Sequence, residues 1–427
     1  MVKIAVLGCG TVGGGVFKLI KQNANDIEQR IGQKVEVKKV LERDADKAHS
    51  IGVTTELCTS YDEILQDDEI KIIVELIGGT EFAYDCIIKA IEAGKNVVTA
   101  NKDLLAIKGE EIFSLAKQKG VDICFEASVA GSIPIIGPMQ NVLCANTFSA
   151  IVGILNGTTN YILTKMNDFG LSYEEALKQA ADLGYAEANP SSDVEGTDAA
   201  RKIAILGSLA FNSRCTLSNV YCEGITKIVE KDIILAKKLG YTIKLIGMAK
   251  EKDDKIILFV RPTFVPMSHP LASVNDVFNA VFLKCDAADE IMLYGRGAGE
   301  MPTASSVVGD VMTICNSIAN NTTGQHGLDC YKQKEILPIG ELESSFCLRL
   351  RVADKPNVLA GIASELGNRG VSIESVIQSP VPDVDMASLT IITHKAKEQA
   401  LQDAISSLKE KEYVEKAYIF MCLDKTN

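Results

Sequence analysis

The sequence predicts an α/β protein in three parts: a parallel sheet with helices on both faces, a mixed α/β domain, and a small βαββαβ domain at the end. Three observations predict it. Short apolar runs alternate with helical segments from Val2 to about Ala100. Small residues and Pro134 change the texture from about Glu126. From Phe346 a compact strand–helix–strand–strand–helix–strand pattern follows a stretch without period. Strands alternating with helices argue for a parallel sheet covered on both faces. A length of 427 residues is itself enough for two to three domains.

Residues 2–7 are an apolar run long enough for a buried strand and too short for a helix. The turn Gly8-Cys9-Gly10-Thr11-Val12-Gly13-Gly14-Gly15 follows, and residues 16–20 supply the apolar side of a helix. Residues 35–41 are a second strand, and 70–77 are another, ending in Gly78-Gly79. Residues 84–93 have helical spacing closed by Gly94, and 96–100 return to a strand. The apolar run 150–155 stops at Asn156-Gly157-Thr158-Thr159-Asn160. Residues 194–211 read as one helix, with Ala199, Ile203, Leu206 and Ala210 on its apolar face. Residues 256–260 and 280–284 are strands, and the helical stretch 304–318 returns to the first domain. Residues 324–345 mix Gly, His, Pro and charges, as a linker does. Beyond it, Pro356 opens a helix whose apolar side is Leu359, Ile362, Ala363 and Leu366. Strands at 371–377 and 386–393, a helix at 396–408 and a strand at 414–421 complete the pattern. The expected domains are 1–131 (completed by about 295–325), 132–294, a linker at 326–345, and 346–427.

Hydrophobic residues make up 47% and charged residues 23%, so several cores can be buried and disorder is not expected. The net charge of −12 repels phosphate backbones and anionic lipid, which argues against nucleic acid and membrane as partners. The 12 cysteines are scattered without metal-type spacing, as reduced buried thiols would be. The first residues enter a strand without signal-peptide architecture, and no long uncharged apolar stretch occurs. A cytoplasmic location is the expectation.

Gly8, Gly10 and Gly13 have the G-x-G-x-x-G spacing directly after a strand and before a helix. There the backbone approaches a pyrophosphate closely, and the helix N-terminus offers free N–H groups. This predicts a Rossmann-type dinucleotide site. The second strand runs into Glu42-Arg43-Asp44. A carboxylate there suits the ribose 2′-hydroxyl of NAD, and an arginine suits the 2′-phosphate of NADP. Both are present; Arg43 tilts the expectation to NADP, with NAD retained.

Asp198 and Lys202 sit at i and i+4, an arrangement that is most often a weak surface ion pair. The preceding loop changes that weighing, because it carries Glu187, Asp193 and Glu195 among turn-forming residues. Carboxylates beside a lysine suit a substrate with an ammonium group and a carbonyl that must accept a proton.

The segments GCGTVGGG, VELIGG, TANKDLLA, EASVAGSIPII, LNGTTNYIL, GYAEANPSSDVEGTDAARK and GAGEMPT, in this order, resemble homoserine dehydrogenase. The resemblance covers about the first 320 residues, and residues 346–427 resemble a ferredoxin-like ACT domain, a regulatory amino-acid-binding module. It implies NAD(P)H-dependent reduction of aspartate 4-semialdehyde to homoserine, in threonine, methionine and isoleucine biosynthesis. Lys202 is then the proton donor and Asp198 its partner. Glu187, Asp193 and Lys102 bind substrate, Lys102 also touches cofactor, and Thr11, Val12 and Gly299 match cofactor-contacting positions. Glu126, Val129, Gly131 and Ile133 match a monovalent-cation site of mainly main-chain carbonyls, which suits sodium. Ser132, Asn189 and Asn357 depart from the common residues at their positions.

Two other readings compete. One is another Rossmann-fold dehydrogenase acting on a sugar or a different aldehyde, which has no use for the segment 187–202. The other is a non-catalytic amino-acid sensor, which has no use for Lys102, Asp198 and Lys202 together. An ACT tail implies an amino-acid effector, with threonine first in line, held at the helix N-terminus near Asn357 and Val358. It also implies a homodimer or homotetramer.

Overall fold

The computed structural model describes residues 1–382 and 384–424. From the N-terminus run β1 (Val2–Leu7), α1 (Thr11–Gln22), α2 (Ala24–Ile31), β2 (Val35–Leu41), α3 (Ala45–Ser50) and β3 (Glu56–Cys58). Then come α4 (Asp62–Leu65), β4 (Ile70–Glu75), α5 (Glu81–Glu92), β5 (Asn96–Thr99), α6 (Lys102–Lys119) and β6 (Ile123–Cys124). The six strands form one parallel sheet in the order β3-β2-β1-β4-β5-β6. Alternate residues of β1 explain why its run is apolar throughout. Ile4 and Val6 pack into a core with Val16 of α1, while Ala5 and Leu7 pack into another with Ile87 and Leu104 of α5 and α6. The strand order reverses between β1 and β4, so the crevice at their C-terminal ends is where a dinucleotide binds in such sheets.

The second region holds β7 (Phe148–Ile154), α7 (Gly157–Phe169), α8 (Tyr173–Asp182), α9 (Ser191–Val194), α10 (Thr197–Phe211), β8 (Tyr221–Cys222) and α11 (Glu230–Lys238). It continues with β9 (Tyr241–Lys252), β10 (Lys255–Pro266), β11 (Phe278–Cys285), β12 (Glu290–Arg296) and α12 (Glu300–Asn320). Asp253 and Asp254, both at positive φ, make the tight turn of the long β9–β10 hairpin. Helix α12 returns to the first sheet, where Ala304, Val307, Val311 and Ile314 share a core with Val16 and Ile20.

The remaining elements are β13 (Glu335–Ile336), β14 (Glu343–Ala353), α13 (Val358–Gly367), β15 (Ile373–Pro380), β16 (Met386–Thr393), β17 (Ala396–Lys397), α14 (Glu398–Lys409) and β18 (Val414–Cys422). The second sheet runs β12-β11-β7-β9-β10-β18-β14-β16-β15, so the C-terminal strands extend the middle sheet. The junction is a parallel pairing of Thr263 with Met421 and Phe264 with Cys422. Residues 332–337 run beside the middle domain: β13 pairs with β10, and Lys334 is ion-paired to Glu251 and Asp254.

Two local expectations change. The helix expected at 194–211 is two helices, because Gly196 adopts a left-handed conformation and α10 starts at Thr197. Leu359 lies on the exposed side of α13, which buries Ile362 and Leu366 as expected and Val358 in place of Leu359. Among the described residues, no helix is long and apolar enough to cross a membrane.

Candidate functional site

Helix α10 is buried on nearly every side, with Arg201 its one partly open residue beyond Thr197. A helix apolar all round belongs in a core, and Asp198 and Lys202 are buried with it. The i,i+4 pair is therefore no surface ion pair. Lys202 Nζ donates to Asp198 Oδ2 at 2.7 Å and to the Leu155 carbonyl at 2.7 Å. Two of its three N–H groups are thus committed, leaving one for a ligand. Burial works to raise the Asp198 carboxyl, but Lys202, Lys102 and the Asn156 amide outweigh it and hold it at about 2. Lys102 Nζ lies 3.5 Å from Asp198 Oδ1. Its place is set by Asn101, whose side-chain oxygen caps α6 by accepting from Leu104 N–H.

Asn156 ties the loop to the helix. Its amide donates to Asp193 Oδ1 at 2.7 Å and to Asp198 Oδ2 at 2.9 Å, while its oxygen accepts from Thr159 at the start of α7. Asp193 is raised by burial, against the pull of the Asn156 hydrogen bond. Arg201 does not compete for Asp198: it pairs with Asp103 of α6 and donates to Ser192.

These groups open on a cavity of about 650 Å3 between the two sheets. Of the residues expected from sequence, Val12, Lys102, Gly131, Glu187, Asp193, Asp198, Lys202 and Gly299 line it. Asn156, Tyr185 and Arg296 line it too and were not expected. Asn156 had a signal, an Asn three residues before a Thr at a helix start; Arg296 stands in a glycine-rich run that drew attention only to its glycines.

At the glycine turn, Gly8 has φ +97°, and a Cβ on Gly13 would come within 2.2 Å of the Gly8 carbonyl oxygen. No side chain fits there. A Cβ on Gly10 would meet nothing within 4 Å, so this side of the turn is open for a pyrophosphate at the start of α1, beside Thr11. The Glu42 carboxylate accepts from the backbone N–H groups of Cys9, Arg43 and Asp44, and the Arg43 side chain is exposed.

Glu126 and its loop lie beside the cavity. The carboxylate accepts from Ile135, Ile136 and Gly137 N–H at 2.6, 2.8 and 2.7 Å, so its work is to fold the loop. Val129, Gly131 and Ile133 are buried, with Gly131 at positive φ. The nearby Asp310 carboxyl is pushed well up by burial and by the Glu126 charge, and it accepts from Glu126 N–H. The four expected residues offer only oxygen donors and no thiolate or imidazole, which suits a hard cation and not zinc; among them the Gly131 carbonyl accepts from the Ser306 hydroxyl.

A family model described as homoserine dehydrogenase matches residues 134–312, and a model of its NAD binding domain matches 8–126. A model of the ACT domain matches 348–412. The homoserine dehydrogenase of Bacillus subtilis is 41% identical over 417 residues, spanning 97% of this chain and 96% of that protein. That of Pseudomonas aeruginosa is 40% identical over 432 residues, spanning 100% and 99%. A crystal structure of a homoserine dehydrogenase from Thiobacillus denitrificans superposes with a TM-score of 0.95 at 38% identity, over 100% of this chain and 99% of that one. A hyperthermophilic archaeal homoserine dehydrogenase in complex with NADPH gives 0.61 at 26% identity, over 73% and 97%. Likeness of this degree along the whole chain, beyond any single motif, shows that the chain belongs to the homoserine dehydrogenase family, NAD(P)-dependent oxidoreductases acting on a CH–OH group, here with a C-terminal ACT domain.

Proposed function

We propose that the chain reduces aspartate 4-semialdehyde to homoserine, with Lys202 as proton donor. The carrying observation is the buried Lys202 ammonium, held by Leu155 and Asp198 at the wall of a cavity shared with the glycine turn's Val12. When bound, the reduced nicotinamide supplies a hydride to the aldehyde carbon. Lys202 gives a proton to the aldehyde oxygen as charge develops there, which yields the alcohol. Asp198 holds the ammonium in place, Glu187 receives the substrate ammonium with help from Asp193, and Arg296 faces the substrate carboxylate. Lys102 contacts cofactor and substrate.

Glu42 is committed to three backbone N–H groups, which leaves Arg43 for a 2′-phosphate and favours NADP. The carbonyls of Glu126, Val129, Gly131 and Ile133 hold a sodium ion that orders the loop. The C-terminal domain binds an amino-acid effector, with threonine as first candidate, at the start of α13. There Asn357 adopts φ +71°, a left-handed conformation that Asn tolerates. The chain forms homo-oligomers through strand β15, an edge strand exposed along its length with Val376 and Ile377 uncovered.

The test follows the nicotinamide absorbance with aspartate 4-semialdehyde and NADPH or NADH, for wild type, Lys202→Ala and Arg43→Ala. Wild type is expected to oxidise NADPH. Lys202→Ala should lose about a hundredfold or more in kcat while still binding cofactor. Arg43→Ala should weaken NADPH binding and leave NADH binding unchanged. A folded wild type that binds nucleotide but turns over neither cofactor would favour the sensor reading.

A further inference from the structure

Arg261 of β10 is buried in the middle domain's sheet, yet the carboxylate it hydrogen-bonds comes from the C-terminal domain. Its Nη1 donates to both carboxylate oxygens of Glu398 at 2.8 Å, and the two side chains are 5% and 1% exposed. Glu398 is the first residue of α14. On its other side the guanidinium lies 3.5 Å from Glu223 and over the ring of Tyr221.

Tyr221 and Glu223 belong to a segment that also clamps the corner between α9 and α10. Ile225 N–H donates to the Val194 carbonyl at 2.8 Å, and Cys222 Sγ donates to the Glu195 carbonyl. Gly224 lies so close that a Cβ there would stand 2.1 Å from the Val194 oxygen. That corner carries Asp193 just before it and Asp198 just after it. Without Glu398 the buried guanidinium loses both of its short hydrogen bonds and keeps only Glu223, 3.5 Å away in the segment 221–225, so the loss falls on that segment.

We propose that Arg261 is a positioning residue of the active site. Held by Glu398, it fixes the segment 221–225, which sets the α9–α10 corner and so the placement of Asp193 and Asp198. The C-terminal domain thereby completes the catalytic scaffold independently of any effector. The inference rests on the assignment of Asp198 to the reaction.

The test compares full-length wild type, Glu398→Gln, Arg261→Met and the apolar double variant Arg261→Met/Glu398→Met. It reads melting temperature, kcat/KM for aspartate 4-semialdehyde, NADPH affinity, and hydrogen–deuterium exchange of peptides spanning 191–198 and 221–225. Glu398→Gln should exchange faster in both peptides and lose about tenfold or more in kcat/KM, with NADPH affinity unchanged. The double variant, with no stranded charge, should recover the melting temperature but not kcat/KM. A merely structural pair would give a double variant with wild-type kcat/KM, and that result, or unchanged exchange in Glu398→Gln, overturns the proposal. If the single variants do not fold, the double variant decides. A wild type inactive on the aldehyde would sink the substrate reading, while exchange still decides this one.

Discussion

A carboxylate and an ammonium facing one another at 2.7 Å have different consequences on a surface and in a core. At a surface, solvent and salt reduce such a pair to a few tenths of a kcal/mol. In α10 both groups are buried, and Lys202, Lys102 and Asn156 hold Asp198 at about 2, below its usual 3.8. A depressed carboxylate stabilises the fold above its unfolded value and loses that contribution as pH falls through its folded value. The Asp198 contribution, on the order of 2 kcal/mol, is therefore expected in full above about pH 4 and should vanish toward pH 2. Unfolding of wild type and Asp198→Asn by denaturant across that range checks it: the difference in stability should shrink as pH drops. Asp193, raised by burial, acts in the opposite sense and opposes folding as it ionises. The residue types and spacing of this site were legible in the sequence. The burial was not, because on a helical wheel Asp198 and Lys202 occupy the side that a solvated face would occupy.

At the scale of elements, β1, β2, β4 and β5 of the first sheet were legible from their apolar runs, while β3 and β6, three and two residues long, were too short to leave one. The break at Gly196 was not. A glycine before a helix signals a cap as readily as a turn, and here Gly196 takes φ +87° in a corner where a Cβ would stand 3.1 Å from Cys222 and Val260. Asn156 shows how an element boundary becomes part of a site. The same side chain caps α7 and hydrogen-bonds two acids. Asn156→Ala is expected to lose about 1 kcal/mol from the cap alone, together with catalytic efficiency. Asn156→Asp keeps the cap oxygen but sets a third carboxylate beside Asp193 and Asp198. Near neutral pH the buried like charges should cost more than the cap returns, so it should melt below the alanine variant and lose at least as much activity, as melting curves and steady-state kinetics would show.

For the whole molecule, the C-terminal domain is no detachable appendage. Its strand β18 extends the middle sheet, Phe420 stacks on Phe264 with ring centroids 4.9 Å apart, and Glu398 neutralises Arg261. The βαββαβ pattern was legible because short apolar runs and helical stretches follow one another there, each separated by turn-forming residues. The shared sheet was not, since a pairing of two residues from distant segments leaves no periodic trace. Deleting residues 346–427 should uncover the end of β10 at Thr263 and Phe264 and leave Arg261 with Glu223 alone, and calorimetry should show a lower melting temperature with aggregation on heating. Effector sensitivity is better probed by point variants at the start of α13, which leave the shared sheet intact.

The β10–β18 junction also bears on synthesis. Strand β10 is made well before β18, whose Met421 and Cys422 pair with its Thr263 and Phe264. Until then the end of β10 at Thr263 and Phe264 lacks its neighbour, while β8 and β13 already cover the rest of that edge. A chain cut before β18 therefore leaves that end of β10 unpaired and prone to aggregate, so β18 contributes to solubility as well as to the C-terminal domain.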